Sequence, residues 1–297
     1  MTHTVCIPSS LVREAEDKRE ATRKVGYVAR AATIFNADRV VVFPDRTGER
    51  RWGEGFVVTV LRYAATPPHL RQEAWDVRDE LEYAGVLPPL RVASQTGSAP
   101  DGSESLTQGI VTEVGPEGRV RVTCGLQHPI SLHAPDGMEP SEGERVTVRI
   151  SSREPVRARL VDEPQPGYVV ERTDLTEVLG RRDAGVRIAT SRHGQPLTVP
   201  WLGDLTRDVE ADGMTVAFGA PGRGLPDILG IDVDDVGAAA GTAAGAGGKD
   251  SPGPGGVEPV ADPGFDLWLN TIPRQGSEVV RTEEALFASL ACLTLTE

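Results

Sequence analysis

The sequence predicts an α/β fold that is interrupted by a small all-β module. Apolar strands alternate with helical segments near both ends of the chain, whereas short runs of alternating apolar and polar residues lie between about 109 and 161. The composition also changes at about residue 92, where a stretch rich in Ser, Gly, Asp and Thr begins. We therefore expect an α/β domain built from residues 1–91 and 164–297, with the module at 92–163 inserted into it.

The N-terminal part predicts two strands and two helices. Hydroxyl side chains cap helix starts by accepting hydrogen bonds from free backbone N–H groups, and Ser9 and Ser10 directly follow the first apolar run. The predicted elements are a strand at 3–8, a helix from Ser9 or Ser10 to about Phe35, a strand at 39–44, and a helix at about 67–84 that ends before Gly85 and Pro88.

The inserted module predicts a small β-barrel. The runs at 109–114 and 119–124 are joined by a Gly-Pro-Glu-Gly turn and predict a hairpin. Further runs lie at 145–150 and 158–161. The pattern fits an OB-like barrel, a fold that binds single-stranded nucleic acid. Period-two spacing puts Arg119 and Arg121 on one strand face, where they either contact phosphate or are ordinary exposed charges.

Three loops of the C-terminal part follow apolar strands. A strand at 186–192 is expected to end at a turn at His193 and Gly194. A strand at 216–218 leads into the glycine-rich loop 219–224, whose glycine spacing is not the dinucleotide-binding pattern. A third strand leads into a Pro/Gly loop at 271–277. Such loops allow close backbone approach to a ligand.

The last helix is expected to be buried. Thr282 can cap it, and Glu283 and Glu284 put negative charge in its first turn, where the helix dipole favours it. Residues 285–293 are almost wholly apolar. The preceding Gly/Ala/Pro-rich segment 237–262 cannot form a core, so we expect a mobile insert there.

The charge of the chain is strongly acidic. The formal net charge is −13, and only three of the 31 basic residues are lysines, Lys18, Lys24 and Lys249. This pattern indicates either adaptation to a high-salt cytoplasm or a GC-rich coding sequence. A nucleic-acid partner would then be bound through arginine geometry, stacking and shape more than through counterion release.

Cysteine content and hydropathy favour a cytoplasmic chain without metal. Cys6, Cys124 and Cys292 are far apart and are expected to be reduced thiols rather than disulfides. Cys124, His128 and His133 match no zinc-binding spacing, so no metal is expected. There is no 18-residue apolar run and no signal-peptide pattern, so no membrane association is expected.

Three segments together resemble the SPOUT superfamily of RNA methyltransferases. Residues 26–35 resemble its first motif, with Arg30 at the motif arginine, 218–225 resemble the second, and 269–285 the third. The opening Val-Cys-Ile-Pro-Ser-Ser resembles an archaeal and eukaryotic branch that carries an inserted OB-like domain. The resemblance covers about 3–90 and 165–297.

The resemblance implies a trefoil-knotted parallel-sheet domain that binds S-adenosylmethionine and forms a homodimer through the knot helices. It implies Arg30 as a substrate contact, and Asn270 as a contact to a base or the cofactor; Arg30 could instead pair with Glu283 or another acid. The cofactor-binding residues that it implies are Thr190, Ser191, Phe218, Gly219, Ala220, Gly222, Gly224, Leu269, Thr271, Ile272, Pro273, Gly276, Ser277 and Thr282.

The substrate implied by the resemblance is RNA, in particular ribosomal RNA. Relatives that methylate ribose 2′-O usually continue the third motif into Ser-Leu-Asn, whereas Val280-Arg281-Thr282 stands here. We therefore expect a base nitrogen, uridine N3, as the acceptor, with Glu283 or a water as the base. The alternatives are a 2′-O-methyltransferase and a non-catalytic assembly factor. Arg19 and Arg23, on the first helix, either contact this RNA or belong to a solvated face.

Overall fold

The computed structural model describes residues 1–90, 105–116, 118–233, 236 and 264–296. Within them lie a six-stranded parallel sheet and a separate five-stranded antiparallel sheet. The expected combination of an α/β part with a parallel sheet and a separate all-β part is thereby confirmed. The predicted mobile insert at 237–262 lies outside the described residues.

The parallel sheet is formed by strands from both ends of the chain. Its strands are β1 (Thr2–Pro8), β2 (Arg39–Phe43), β8 (Val169–Arg172), β9 (Val186–Pro196), β10 (Gly213–Ala217) and β11 (Leu267–Asn270). Their order is β11-β9-β10-β1-β2-β8, and every neighbouring pair is parallel. The carboxyl ends of all six strands therefore share one edge of the sheet.

Helices cover both faces of this sheet. They are α1 (Lys18–Ile34), α2 (Glu54–Ala65), α4 (Leu175–Leu179), α5 (Val199–Asp212), α6 (Leu225–Leu229) and α7 (Thr282–Leu293), whereas the single turn α3 (Arg71–Ala74) has no buried residue. Val5 and Ile7 pack with α1, α2, α5 and α7 on one face, and Cys6 packs with α4 and α6 on the other. This alternation is why residues 5–7 of β1 are apolar on both faces, as the strands of doubly covered sheets are. None of the described helices combines the length and hydrophobicity that a membrane span requires.

Two N-terminal predictions were wrong. The first helix begins at Lys18, because Asp17 caps it by accepting from the Glu20 amide at 2.7 Å. Ser9 and Ser10 cannot cap it, since both are buried and bonded to Asp45.

The helix predicted at 67–84 is replaced by α3 and three short 3₁₀ turns, at Pro68–Leu70, Asp79–Leu81 and Ala84–Val86. The chain becomes extended at Trp75, whose indole donates to Thr66 Oγ1 at 3.0 Å. A continuous helix cannot pass through this residue.

Strand β9 is longer than expected and does not turn at His193. It continues to Pro196 because β11 pairs with it on both sides of a register shift between Trp268 and Leu269. Gly194 permits this pairing: a Cβ there would lie 2.7 Å from the Trp268 carbonyl carbon.

The inserted module is a curved antiparallel sheet with its own core. Its strands are β3 (Ser105–Val114), β4 (Arg119–Thr123), β5 (Ile130–His133), β6 (Arg145–Arg153) and β7 (Val156–Val161), in the order β5-β4-β3-β6-β7. The predicted β3–β4 hairpin is confirmed. The edge strands β5 and β7 line a common groove, so the sheet is nearly closed.

Cys6, Cys124 and Cys292 are free thiols, as expected; the first two are buried and the third is half-buried.

Candidate functional site

A cavity of about 260 Å³ lies at the carboxyl ends of β10 and β11, beside the middle of β9. Eleven of the fourteen residues expected to bind the cofactor line it, together with Asn270. The eleven are Thr190, Ser191, Phe218, Gly219, Ala220, Gly222, Gly224, Leu269, Thr271, Ile272 and Thr282. Pro273, Gly276 and Ser277 belong to the same loop but do not line the cavity. Open α/β sheets bind their ligands at this edge.

The loop after β10 forms one wall of the cavity. The Ala220 and Arg223 backbones exchange hydrogen bonds of 2.9 and 3.0 Å, which close a tight loop. Gly222 has a φ of 65°, a conformation that favours glycine. Gly219 is also required, because a Cβ there would lie 2.8 Å from the Leu225 amide nitrogen. Asp227 ends the loop by accepting from the Gly224 amide at 2.9 Å.

The loop after β11 forms the opposite wall and is held by its own side chains. Asn270 Oδ1 accepts from the Ile272 amide at 3.0 Å, and its Nδ2 donates to the Arg192 carbonyl at 3.0 Å. Thr271 Oγ1 and Ser289 Oγ are 2.8 Å apart. Both ends of the Asn270 side chain are therefore engaged in shaping the loop.

Thr282 joins the two walls. Its hydroxyl donates to the Gly219 carbonyl at 2.7 Å. Thr282 was expected to cap the last helix, but it is the first residue of α7 instead, and Arg281 precedes the helix as its capping residue. Glu284 accepts from the Arg281 amide at 3.0 Å, so the expected acidic first turn is present. The third wall is the middle of β9, where Thr190 Oγ1 donates to the Ala217 carbonyl at 2.8 Å.

Two residues expected to act in catalysis lie outside the cavity lining. Arg30 is half-buried on α1 and donates from Nη1 to the Pro89 carbonyl at 3.0 Å. Glu283 is buried, and its Oε2 has no hydrogen-bond partner among the described residues. Burial raises the pKa of the Glu283 carboxyl, although the positive charges of Lys24 and Arg281 act in the opposite direction. In the described part of the chain, Arg30 forms no ion pair with Glu283.

The arginines expected to contact RNA lie on two other surfaces. Arg19 and Arg23 are exposed on α1. Arg119 and Arg121 are exposed on one face of β4, as the spacing predicted. Arg121 lies 3.9 Å from Glu113, and Arg119 lies 3.4 Å from the His133 ring. These distances leave both guanidinium groups of β4 weakly engaged.

The sequence did not indicate that Asp45 and Arg223 belong together. Arg223 lines the cavity, and its Nε lies 3.0 Å from Oδ2 of the buried Asp45. Ser10 Oγ donates to the same oxygen at 2.5 Å. Burial opposes ionisation of Asp45, but the hydrogen bonds from Ser10 and Arg223 outweigh it and hold the pKa of this carboxyl below its usual value. A charged Asp45 behind the cavity is the result.

The sequence also did not indicate which charged residues would line the cavity. Two arginines, Arg192 and Arg223, and two acidic residues, Asp227 and Glu278, border the cavity. No group of three or more His, Cys, Asp or Glu side chains suited to a metal ion occurs in the part of the chain that the structure describes.

Comparison with known proteins finds relatives over the whole chain. Residues 2–293 match the model of a family described as "Putative RNA methyltransferase". An uncharacterised protein of Halobacterium salinarum is 66% identical over 297 residues, and one of Haloarcula marismortui is 62% identical over 299 residues; each alignment covers 100% of both chains. A protein of Homo sapiens named 28S rRNA (uridine-N(3))-methyltransferase is 29% identical over 322 residues, which cover 98% of this chain and 77% of the human protein. The chain therefore belongs to this RNA methyltransferase family.

Proposed function

We propose that the protein transfers a methyl group from S-adenosylmethionine to N3 of a uridine in ribosomal RNA. The observation that carries this proposal is the alignment of 98% of the chain with a protein named for that reaction. The cavity between the two loops supplies the place for it, because the matched residues 2–293 include both of its walls.

The lining of the cavity fits the proposed cofactor. Ile272 provides apolar surface for an adenine ring, whereas Phe218 and Leu269 are fully buried and can contribute only through the backbone beside them. The two arginines and two acidic residues that border the cavity complement the carboxylate and ammonium of the methionine portion. S-adenosylmethionine supplies an electrophilic methyl group on its sulfonium. The protein has only to bind, to orient and to expose the acceptor nitrogen in line.

The proton on uridine N3 must leave when the methyl group is accepted. Among the carboxylates of the lining, Asp227 is engaged by the Gly224 amide, whereas no hydrogen bond to the Glu278 carboxylate is recorded among the described residues. His193 accepts from Arg192 Nε at 3.0 Å through its Nε2. Glu278, or a water beside it, is therefore a better placed proton acceptor than Glu283, which lies outside the lining.

We also propose the finer architecture that the family resemblance implies. The α/β domain would carry the SPOUT trefoil knot, and the nearly closed module would be an OB-like barrel. A homodimer through α1 and α7 is supported by the exposed apolar residues Tyr27 and Ile34 on α1, beside the edge-on ring pair of Phe35 and Phe287. Sedimentation velocity tests the dimer, and a monomer at micromolar concentration would exclude it.

The function is tested by binding and by product analysis. Ile272→Arg should fill the cavity and abolish calorimetric binding of S-adenosylmethionine, whereas Val77→Arg, at a fully exposed apolar side chain, should leave it unchanged. The protein should then methylate a ribosomal RNA transcript in high salt, and digestion to nucleosides should yield 3-methyluridine by mass spectrometry.

The same digest separates the alternatives. A 2′-O-methylated nucleoside would instead support ribose methylation. Binding of the cofactor without product, on deproteinised RNA and on ribosomal subunits alike, would support a non-catalytic assembly factor.

A further inference from the structure

A buried polar cluster lies directly behind the wall of the cavity. It consists of Ser9, Ser10 and Asp45, at the ends of β1 and β2, and Arg223, in the loop after β10. The Asp45 side chain is only 2% exposed, whereas that of Arg223 is 24% exposed and reaches the cavity. The cluster thus connects the interior of the sheet edge with the ligand side of the loop.

Asp45 holds one edge of the Arg223 guanidinium. Arg223 Nε lies 3.0 and 3.2 Å from the two oxygens of Asp45, and Arg223 Nη2 donates to Thr47 Oγ1 at 2.9 Å. Among the described residues, Nη1 donates no hydrogen bond, so this nitrogen is available to bind a ligand. Arginine recognises carboxylates and phosphates through such planar donors.

Asp45 is itself held in place by the two serines. Ser10 Oγ donates to Asp45 Oδ2 at 2.5 Å, and Ser9 Oγ accepts from the Asp45 amide at 2.9 Å. The carboxylate thus cannot rotate away from Arg223 without breaking a buried hydrogen bond. Because Arg223 also closes the loop through its backbone bonds to Ala220, its position is fixed from both sides.

We propose that Asp45, supported by Ser10, positions Arg223 as the binding group for an oxyanion in the cavity, either the carboxylate of the methyl donor or a phosphate of the RNA. Asp45 touches neither ligand and acts only through Arg223. The identity of the two ligands rests on the proposed function. The carboxylates of Asp227 and Glu278 in the same lining favour the donor, whose amino-acid end carries an ammonium beside its carboxylate.

The test uses three ligands that separate the two sources of oxyanion. S-adenosylhomocysteine carries the amino-acid end, 5′-methylthioadenosine lacks it, and a transcript of large-subunit ribosomal RNA supplies phosphates. Each is titrated by calorimetry or fluorescence anisotropy with wild type, Asp45→Asn, Arg223→Met and the double variant. Glu54→Gln is the matched control, because it weakens a carboxylate–arginine pair, to Arg172 at 2.7 Å, that lies outside the cavity lining.

If Arg223 binds the donor, Asp45→Asn and Arg223→Met should each lower the affinity for S-adenosylhomocysteine by about tenfold and leave the affinity for methylthioadenosine unchanged. If it binds a phosphate, both nucleosides keep their affinity, RNA binding weakens by about tenfold, and the salt dependence of RNA binding loses about one phosphate contact. In either case Asp45→Asn should add little in the Arg223→Met background, since its effect passes through that arginine.

Unchanged affinity for all three ligands in both single variants would overturn the proposal. So would an equal loss for S-adenosylhomocysteine and methylthioadenosine, because that would show a general collapse of the loop. If wild type binds neither nucleoside, the proposed function fails, and the RNA titration alone then decides whether Asp45 positions Arg223 for a phosphate.

Discussion

At the scale of single residues, Glu283 is a carboxyl whose environment disfavours its charge. It is 6% exposed, its Oε2 lacks a hydrogen-bond partner among the described residues, and burial raises its pKa. The folded chain therefore binds this proton more tightly than the unfolded chain does. Stability is consequently lost as the pH rises from the unfolded pKa through the folded pKa.

Glu283→Gln removes this ionisation and should become more stable than wild type as the pH rises above about 4.5, the ordinary pKa of the group. The two proteins should differ little below that pH, and the gain should grow as the pH rises toward neutral. Urea unfolding between pH 4 and 8 measures it, with Glu210→Gln, at an exposed site on α5, as a surface control. The prediction is contradicted if the stability of Glu283→Gln relative to wild type is lower at pH 7 than at pH 4.

The residues of the cavity were largely predictable from the sequence, and their supports were not. The fourteen cofactor-binding residues were expected from the family resemblance, and eleven of them line the cavity. The structure gives a physical reason for their meeting: each lining loop follows a strand of one parallel sheet, and such strands end at one edge. The pairing of Asp45 with Arg223 spans 178 residues and obeys no local spacing rule. Arg30 was expected in the site through the same resemblance, which fixes position in the chain but not side-chain direction. Glu283 was expected only as one of two possible bases, beside a water.

At the scale of elements, contacts between segments explain the places where the local sequence pattern predicted the wrong structure. The sequence around His193 and Gly194 has turn character, yet β9 continues through it, because β11 offers hydrogen-bond partners beyond the register shift. The helix expected at 67–84 does not form for a related reason: the Trp75 indole donates a hydrogen bond to Thr66, and the backbone of Trp75 is extended. Patterns that depend on one segment, such as the β3–β4 hairpin, were predicted correctly.

Gly194 tests this account of β9. An alanine Cβ would lie 2.7 Å from the Trp268 carbonyl carbon, so Gly194→Ala must push β11 away and should cost about 1–3 kcal/mol of unfolding free energy. Gly203→Ala is the matched control, because a Cβ there meets open space within α5 and should stabilise by about 0.5–1 kcal/mol. Denaturant unfolding checks both, and equal effects of the two substitutions would contradict the strand-contact explanation.

At the scale of the whole molecule, an acidic protein must still bind a polyanion. The net charge of −13 makes general attraction to RNA unfavourable, so binding depends on arginines whose charge is not neutralised by neighbouring acids. Arg119 on β4 meets that condition, because its polar contact is the His133 ring, and Arg121 beside it forms only a long ion pair of 3.9 Å with Glu113. Arg19 and Arg23 on α1 are also exposed and form no ion pair among the described residues, but Glu16, Asp17 and Glu20 lie within one turn of Arg19 in sequence.

We therefore expect the β-module, rather than α1, to guide RNA to the protein. The paired change Arg119→Met with Arg121→Met should weaken binding of a ribosomal RNA transcript and lower the slope of log K against log salt by about 1.5, since each lost phosphate contact removes about 0.7–0.9. The same change at Arg19 and Arg23 alters net charge equally and should leave the slope nearly unchanged. Equal slopes for the two double variants would mean that only net charge matters, and a larger loss for the α1 pair would place the RNA on the helix instead of the module.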